Sequence, residues 1–338
     1  MNTYTAGKGD VRVGIAGATG YTGVELIRLL ARHPRARLAA AMGSPGAAPR
    51  HVPALKRLWD APVNGLDVDG LADASDAVFL ALPDRAAAEI APPLVARGKR
   101  VFDLSGAFRL RDAGLRRRWY PHTPDASPEV VYGLTERYRD QLPQSSLVAC
   151  AGCYPTAAIL ALQPLLEASL LDVSGAPIVI DAKSGVSGAG KTPSERTHFS
   201  ECHGSLSAYG VFDHRHAAEI EQELGTAVTF VPHLLPIDRG ILETIYATLA
   251  PGVGEAAVSA AMGAAYADSP FVRITGADLP EIKHVAHTNY CDIGWRVNAD
   301  RRQIVLVSCI DNLVKGAAGQ AVQNFNVAFG FDEGLGLN

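Results

Sequence analysis

The chain has little sulfur and little aromatic mass. Five cysteines, an odd number, are scattered through 338 residues. That argues against a disulfide framework and for a reducing, cytoplasmic setting. Aromatics make up 7% of the chain, and no apolar run reaches the length that crosses a bilayer. The longest basic cluster is the solvated trio Arg116–Arg118, in a chain of net charge −4. A nucleic-acid groove or an anionic membrane is therefore not expected as a partner. The opening ten residues are polar and contain glycine, without the apolar segment of a signal peptide. Internal repeats and low-complexity linkers are missing too.

What is present is an ordinary globular composition, with 48% hydrophobic and 20% charged residues. The length exceeds one ordinary core, so two domains are expected. In the first half, short apolar stretches read as strands: "VRVGIAG" (Val11–Gly17), "ARLAAAM" (Ala36–Met42), "DAVFLALP" (Asp76–Pro83), "KRVFDLS" (Lys99–Ser105) and "SLVACAG" (Ser146–Gly152). Helical patterns separate them, which indicates a doubly wound parallel sheet of the α/β class. The second half has longer strand candidates, "APIVIDAKSG", "AVTFVPHLLP", "RGILETIYATLAP", "NYCDIGWRVN" and "RQIVLVSCID", with few helices among them. That texture predicts an α+β domain with a mixed sheet. The last segment, "NLVKGAAGQAVQNFNVAFG" (Asn312–Gly330), reads as one long helix returning to the first domain. The expected division is 1–153 with 312–338 as a Rossmann-type nucleotide domain, and 154–311 as the catalytic and oligomerisation domain.

After the first strand comes "GATGYTG", with Gly17, Gly20 and Gly23. Glycines there let backbone approach a pyrophosphate, and the following helix N-terminus favours its negative charge. The spacing is G-x-x-G-x-x-G rather than the commoner G-x-G-x-x-G, but strand before and helix after supply the expected context. Thr19, Tyr21 and Thr22 complete the candidate cofactor loop. NAD sites place a carboxylate after the second strand. Here "MGSPGAAPR" offers Ser44 and Arg50 instead, which points to a 2′-phosphate and so to NADP.

"VACAGCYPTAAILAL" carries the chemistry. Pro155 suits the first turn of a helix, which places Cys153 at a helix mouth. The field there favours a thiolate, and free N–H groups can hold an oxyanion. Cys150 and Cys153 also form a C-x-x-C pair, so a redox dithiol is the other chemistry the spacing allows; no second pair supports zinc. "YGVFDHRHAAEIEQEL" supplies His214, His216 and Glu219 as proton-handling groups, with His216 and Glu219 on one helix face. Spacing leaves open which histidine is the acid/base. No third ligand accompanies the His-x-His pair, so no metal is expected. "KSGVSGAGK" (Lys183–Lys191) is a Gly/Ser loop able to hold phosphate, without P-loop spacing.

Taken in order, "GATGYTG", "DLSGAFRL", "GCYPTA", "KSGVSGAG", "YGVFDHRHAAEI", "PHLLPIDRGILETI" and "IDNLVKGAAGQAVQNFN" resemble the N-acetyl-gamma-glutamyl-phosphate reductases, relatives of aspartate-semialdehyde dehydrogenase. The resemblance runs from Val11 to about Gly330. It implies NADPH-dependent, phosphate-releasing reduction of a small acyl phosphate to a semialdehyde, in arginine biosynthesis, by a homodimer or homotetramer. It implies Cys153 as nucleophile and His214 as acid/base, with His216 and Glu219 beside it. It further implies Arg109, Ser184, Gly185 and Arg239 as substrate groups, and Pro83, Ser187, Gly188 and Asn312 as cofactor contacts. Two departures stand out: Gly106-Ala107 where Ala-Asp is usual, and Cys150-Ala151 where Asn-Pro is common. Aspartate-semialdehyde dehydrogenase activity, the same chemistry on a shorter acid, is the nearest alternative.

Overall fold

Each βα unit returns the chain to the same edge of a sheet, so the alternation of the first half forces its strands to run parallel. The computed structural model describes residues 10–125 and 129–337; the polar opening stretch, apart from Asp10, lies outside them. It divides into two compact units: the described residues of Met1–Gly152 with Ala317–Asn338, and Cys153–Gly316.

In the first unit, β1 (Val11–Ala16), β2 (Ala36–Met42), β3 (Ala77–Leu80), β4 (Arg100–Asp103), β5 (Val130–Gly133) and β6 (Leu147–Cys150) form one sheet. The strand order is β2-β1-β3-β4-β6-β5. All pairings are parallel. The order runs outward from β1 in both directions, so the crevice beyond the ends of β1 and β3 is the switch point where such sheets take ligands. The loops there are Gly17–Gly20 and Ala81–Pro83. The edge strand β5 was not expected from the sequence.

The helix Gly319–Ala328 belongs to this unit, whereas Asn312–Gly316, the start of the same sequence segment, belongs to the second. Its Phe325 is fully buried against Phe79 and Phe102, whose rings stack at 5.0 Å. Arg100 clamps the same region, donating to the carbonyls of Ala328 and Pro143. The expected single long helix is nevertheless interrupted: a π-helical turn, Val314–Ala318, precedes Gly319.

In the second unit, β7 (Ile178–Gly185), β8 (Ser207–Ala208), β9 (Val228–Leu235), β10 (Ile241–Thr248), β11 (Val272–Gly276), β12 (Cys291–Asn298) and β13 (Gln303–Ile310) form a mixed sheet. Its order is β11-β12-β13-β10-β7-β9-β8. Burial alternates along β7 and β10, so one face is core and the other, with Val179, Asp181, Lys183 and Tyr246, stays partly exposed. The helix Cys153–Glu167 packs on β10 and β13 and is buried nearly all round.

All five cysteines are thiols among the described residues. Cys291 and Cys309 lie on adjacent strands, but Cys291 is in register with Ile310 and Cys309 with Asp292, so they face opposite ways. No helix among the described residues is long and apolar enough to cross a membrane. No group of three or more His, Cys, Asp or Glu side chains among them could hold a metal ion.

Candidate active site

Cys153 is the first residue of its helix and is half-buried. Pro155 sits in the first turn, where its missing N–H removes no helical bond. The next residue, Tyr154, is buried and gathers the neighbouring groups. Its hydroxyl lies 3.2 Å from the Tyr209 hydroxyl and donates to the His233 carbonyl at 3.3 Å. The Ser184 side chain bonds the same phenol. Burial holds both phenols above the usual tyrosine range, and the nearby Cys153 adds to it. The thiol therefore lies within electrostatic reach of both rings.

His214 precedes the helix Arg215–Leu224 and caps it: its Nδ1 accepts the His216 N–H at 3.1 Å. A ring nitrogen that accepts carries no proton, so in the neutral imidazole the proton is on Nε2. Burial, followed by the charge of Arg215, lowers the His214 pKa from 6.5 to about 4. The ring is thus neutral near pH 7 and presents Nε2–H as a donor. It packs edge-on against Tyr154, Tyr209, His216 and Phe230, with centroids 6.0, 5.6, 4.9 and 5.3 Å away. His216 is buried in the first turn of the same helix, and Glu219 is fully buried one turn further on.

A second knot joins three stretches that are distant in sequence. Gly185 N–H donates to the Gly240 carbonyl at 2.9 Å, and Ser187 N–H to Asp238 at 3.2 Å. Asn312 accepts the Gly240 N–H at 2.7 Å and donates to the Ser187 hydroxyl at 2.9 Å. Arg239 pairs with the fully buried Asp311 at 3.2 Å. Gly188 lies over Ser184, whose hydroxyl would be 2.8 Å from a Cβ there. Thus Ser184, Gly185, Ser187, Gly188, Arg239 and Asn312 are brought together, while Cys153, His214 and His216 gather around Tyr154.

In the first unit, Gly17 has φ +89°, and a Cβ on it would sit 2.0 Å from the Ala81 carbonyl. A Cβ on Gly23 would sit 2.1 Å from the Gly17 carbonyl. These two glycines let the turn close tightly between β1 and β3. Thr19 and Gly20 carry the chain into the helix Tyr21–Leu30, whose first turn of Tyr21, Thr22 and Gly23 has no side-chain cap and no acidic residue. That arrangement fits the pyrophosphate of a dinucleotide. Ser44 and Arg50 are exposed just after β2, with no carboxylate among the residues between them, and Pro83 caps the helix Asp84–Ala96 after β3.

Arg109 is buried, and its guanidinium donates through Nε to the Cys150 carbonyl and through Nη2 to Leu104, both at 2.8 Å. Cys150 is a core residue of the first unit: its thiol receives the Asn324 amide at 3.7 Å, and burial pushes its pKa up to about 12. The Gly106 departure has a steric reason, since a Cβ there would lie 2.2 Å from the Tyr120 hydroxyl. Tyr154, Tyr209 and Asp311 were not singled out from sequence. Both tyrosines lie within the quoted motifs, but only the fold shows that they meet.

The chain matches two family models in succession. Residues 12–145 match "Semialdehyde dehydrogenase, NAD binding domain", and residues 153–312 match "Semialdehyde dehydrogenase, dimerisation domain". It is 45% identical to the N-acetyl-gamma-glutamyl-phosphate reductase of Syntrophobacter fumaroxidans, across 97% of this chain and 98% of that protein. It is 46% identical to the enzyme of the same name from Pelotomaculum thermopropionicum, across 97% of each. Among solved structures it is similar in fold to aspartate semialdehyde dehydrogenase II from Vibrio cholerae, with TM-score 0.70 and 16% identity over 94% of this chain and 98% of that one. It is likewise similar to the Candida albicans aspartate semialdehyde dehydrogenase with NADP, with TM-score 0.67 and 16% identity over 94% of this chain and 98% of that one.

Proposed function

The chain belongs to the N-acetyl-gamma-glutamyl-phosphate reductase family of semialdehyde dehydrogenases, and from that membership we propose how its residues divide the reaction. The reaction is the reversible, NADPH-dependent reduction of N-acetyl-gamma-glutamyl phosphate to N-acetyl-L-glutamate 5-semialdehyde with release of phosphate, a step of arginine biosynthesis. NADPH, when bound, supplies the hydride. The first unit holds it: Gly17, Thr19, Gly20, Tyr21, Thr22 and Gly23 take the pyrophosphate and Ser44 with Arg50 the 2′-phosphate, and Pro83 is a further cofactor contact. In the second unit, Ser187, Gly188 and Asn312 are the residues that the resemblance assigns to the cofactor.

Cys153 is the nucleophile. The thiol proton ends on the departing phosphate: the sulfur bonds the acyl carbon, and the carbon–oxygen bond to phosphate breaks with the electron pair leaving on phosphate. The thioester that remains carries no negative charge to repel hydride. The helix beginning at Cys153 favours negative charge at its mouth, on sulfur or on a developing oxyanion. His214 donates its Nε2–H to the carbonyl oxygen as charge builds there. Its Nδ1 is held by the His216 amide, so we assign the imidazole to stabilising the oxyanion without changing protonation state, in place of the acid/base role that the resemblance implies. Collapse of the reduced adduct expels the Cys153 thiolate and frees the aldehyde. His216 and Glu219 support His214 from its helix, and Arg109, Ser184, Gly185 and Arg239 hold substrate carboxylate and phosphate.

The single observation that carries this reading is Cys153 at a helix start whose next residue, Tyr154, packs edge-on against a neutral, tautomer-fixed imidazole. Enzyme mixed with the acyl phosphate in the absence of reductant should gain one acyl mass on the peptide holding Cys153. The Cys153→Ser protein should accumulate no thioester and show almost no turnover; normal turnover in that variant would refute the assignment. The partly exposed sheet face of the second unit is the surface we assign to a homodimer or homotetramer, in a cytoplasmic setting.

A further inference from the structure

We propose that Gly316 is a positioning residue for the nucleophile, an assignment that rests on the reading of Cys153 above. A Cβ built on Gly316 would lie 2.7 Å from the Cys153 Cβ and 3.2 Å from its Cα, with the Ile310 Cδ1 also at 3.2 Å. Real Cβ atoms do not approach that closely, so bare backbone is the only surface that fits there. The reason is space and not dihedral freedom, because Gly316 is absent from the left-handed glycines of the chain. The nucleophile is thereby backed by main chain, which a flexible side chain could not replace as a stop.

That backbone is held by an unusual turn. Gly316 N–H donates to the Asp311 carbonyl at 2.9 Å, a bond five residues long, inside the π-helical turn Val314–Ala318. Such turns are rare and recur at functional sites. Asp311 anchors it. The carboxylate is fully buried, and Oδ1 accepts the N–H groups of Leu313 and Val314 at 2.8 and 3.0 Å. Oδ2 accepts the His287 N–H at 2.7 Å and the Arg239 guanidinium at 3.2 Å. With these donors on one carboxylate, the turn has little freedom to yield. A side chain at 316 would therefore displace Cys153 rather than the turn.

The experiment compares Gly316→Ala with Gly263→Ala in the full-length protein. Gly263 lies in the helix Glu255–Ala265 with nothing near a built Cβ, so it controls for the substitution itself. A shift of the reacting atom by about 1 Å costs about a hundredfold in rate. Gly316→Ala should therefore lower kcat by about a hundredfold while KM stays within about twofold. Iodoacetamide labelling, followed peptide by peptide, should change in rate at Cys153 and stay the same at Cys202. Gly263→Ala should leave all of these as in the parent. A purely structural role predicts a lower Tm with unaltered Cys153 labelling, and that outcome overturns the proposal. Should Gly316→Ala not fold, Asp311→Asn tests the same device: it withdraws an acceptor from the turn without placing an atom against Cys153. Unaltered Cys153 labelling in that variant also overturns the proposal. Loss of function in Gly316→Ala alongside full turnover in Cys153→Ser would instead remove the underlying assignment of the nucleophile.

Discussion

Replacing His214 by asparagine separates what the ring does for the fold from what it does for the reaction. Asparagine is among the best helix caps, and its Oδ1 can accept the His216 N–H that Nδ1 now accepts. Stability near pH 7.5 should therefore change by no more than about 1 kcal/mol. The reaction should suffer far more, because the Nε2–H donor disappears: loss of one oxyanion donor costs about a hundredfold to a thousandfold in kcat. The pH dependence of stability gives an independent check. The folded-state pKa of about 4 lies below the ordinary 6.5, so between those values the unfolded chain binds more protons. Stability from this group is complete above the upper value and is lost as pH falls toward the lower one. At pH 5 the loss is about 2 kcal/mol for the parent and absent in the variant. Chemical denaturation at pH 7.5 and pH 5, with steady-state kinetics on both proteins, measures each quantity. The same reasoning predicts that kcat/KM of the parent shows no acid limb near pH 6.5 from His214. Near-parental turnover in His214→Asn, or an identical loss of stability in both proteins on acidification, would refute the neutral-donor role.

Three further outcomes are expected. Gly23→Ala places a Cβ 2.1 Å from the Gly17 carbonyl, so NADPH affinity measured by fluorescence titration should fall at least tenfold, about 1.4 kcal/mol, and unchanged affinity would contradict the pyrophosphate turn. Gly106→Ala drives a methyl into the Tyr120 ring and should destabilise by about 1–3 kcal/mol in urea unfolding, whereas Gly106→Ala combined with Tyr120→Leu should recover part of that loss. Asp103 is fully buried, and burial raises its pKa from 3.8 to about 6 against the opposing hydrogen bonds from Ser105. Its contribution is complete below the lower value and is lost as pH rises through the upper one, so Asp103→Asn should gain on the parent by about 2–3 kcal/mol between pH 4 and pH 7.5, and a constant difference across that range would contradict the shift.

Much of the fold was legible because burial leaves a period in the sequence. β2 begins and ends where "ARLAAAM" does, and the long strands of the second sheet fall within the apolar runs that suggest them. The strands β5 and β11 were not; in β11, polar Arg273 and Thr275 alternate with the apolar residues of a strand only five residues long. The break before Gly319 was hidden for another reason. Local spacing in "NLVKGAAGQAV" favours a continuous helix, and the π turn is set by Asp311, which His287 and Arg239 anchor from far along the sequence, and by the approach to Cys153. The site divides in the same way. A thiol near proline and paired histidines announce themselves by residue type. Tyr154, Tyr209 and Gly316 matter only through what they touch, and the hydrogen bonds of Arg109 to the Cys150 and Leu104 carbonyls could not be read from its charge.

The helix carrying Phe325 has a consequence for how the protein is made. Phe79 and Phe102 leave the ribosome long before the ring that seals them. All of Cys153–Gly316 must be translated in the interval. The nascent nucleotide-binding half therefore waits with an open apolar seam, while the half translated later has all of its own residues in hand first. Chaperone engagement during synthesis should concentrate on that seam and end when the last helix emerges.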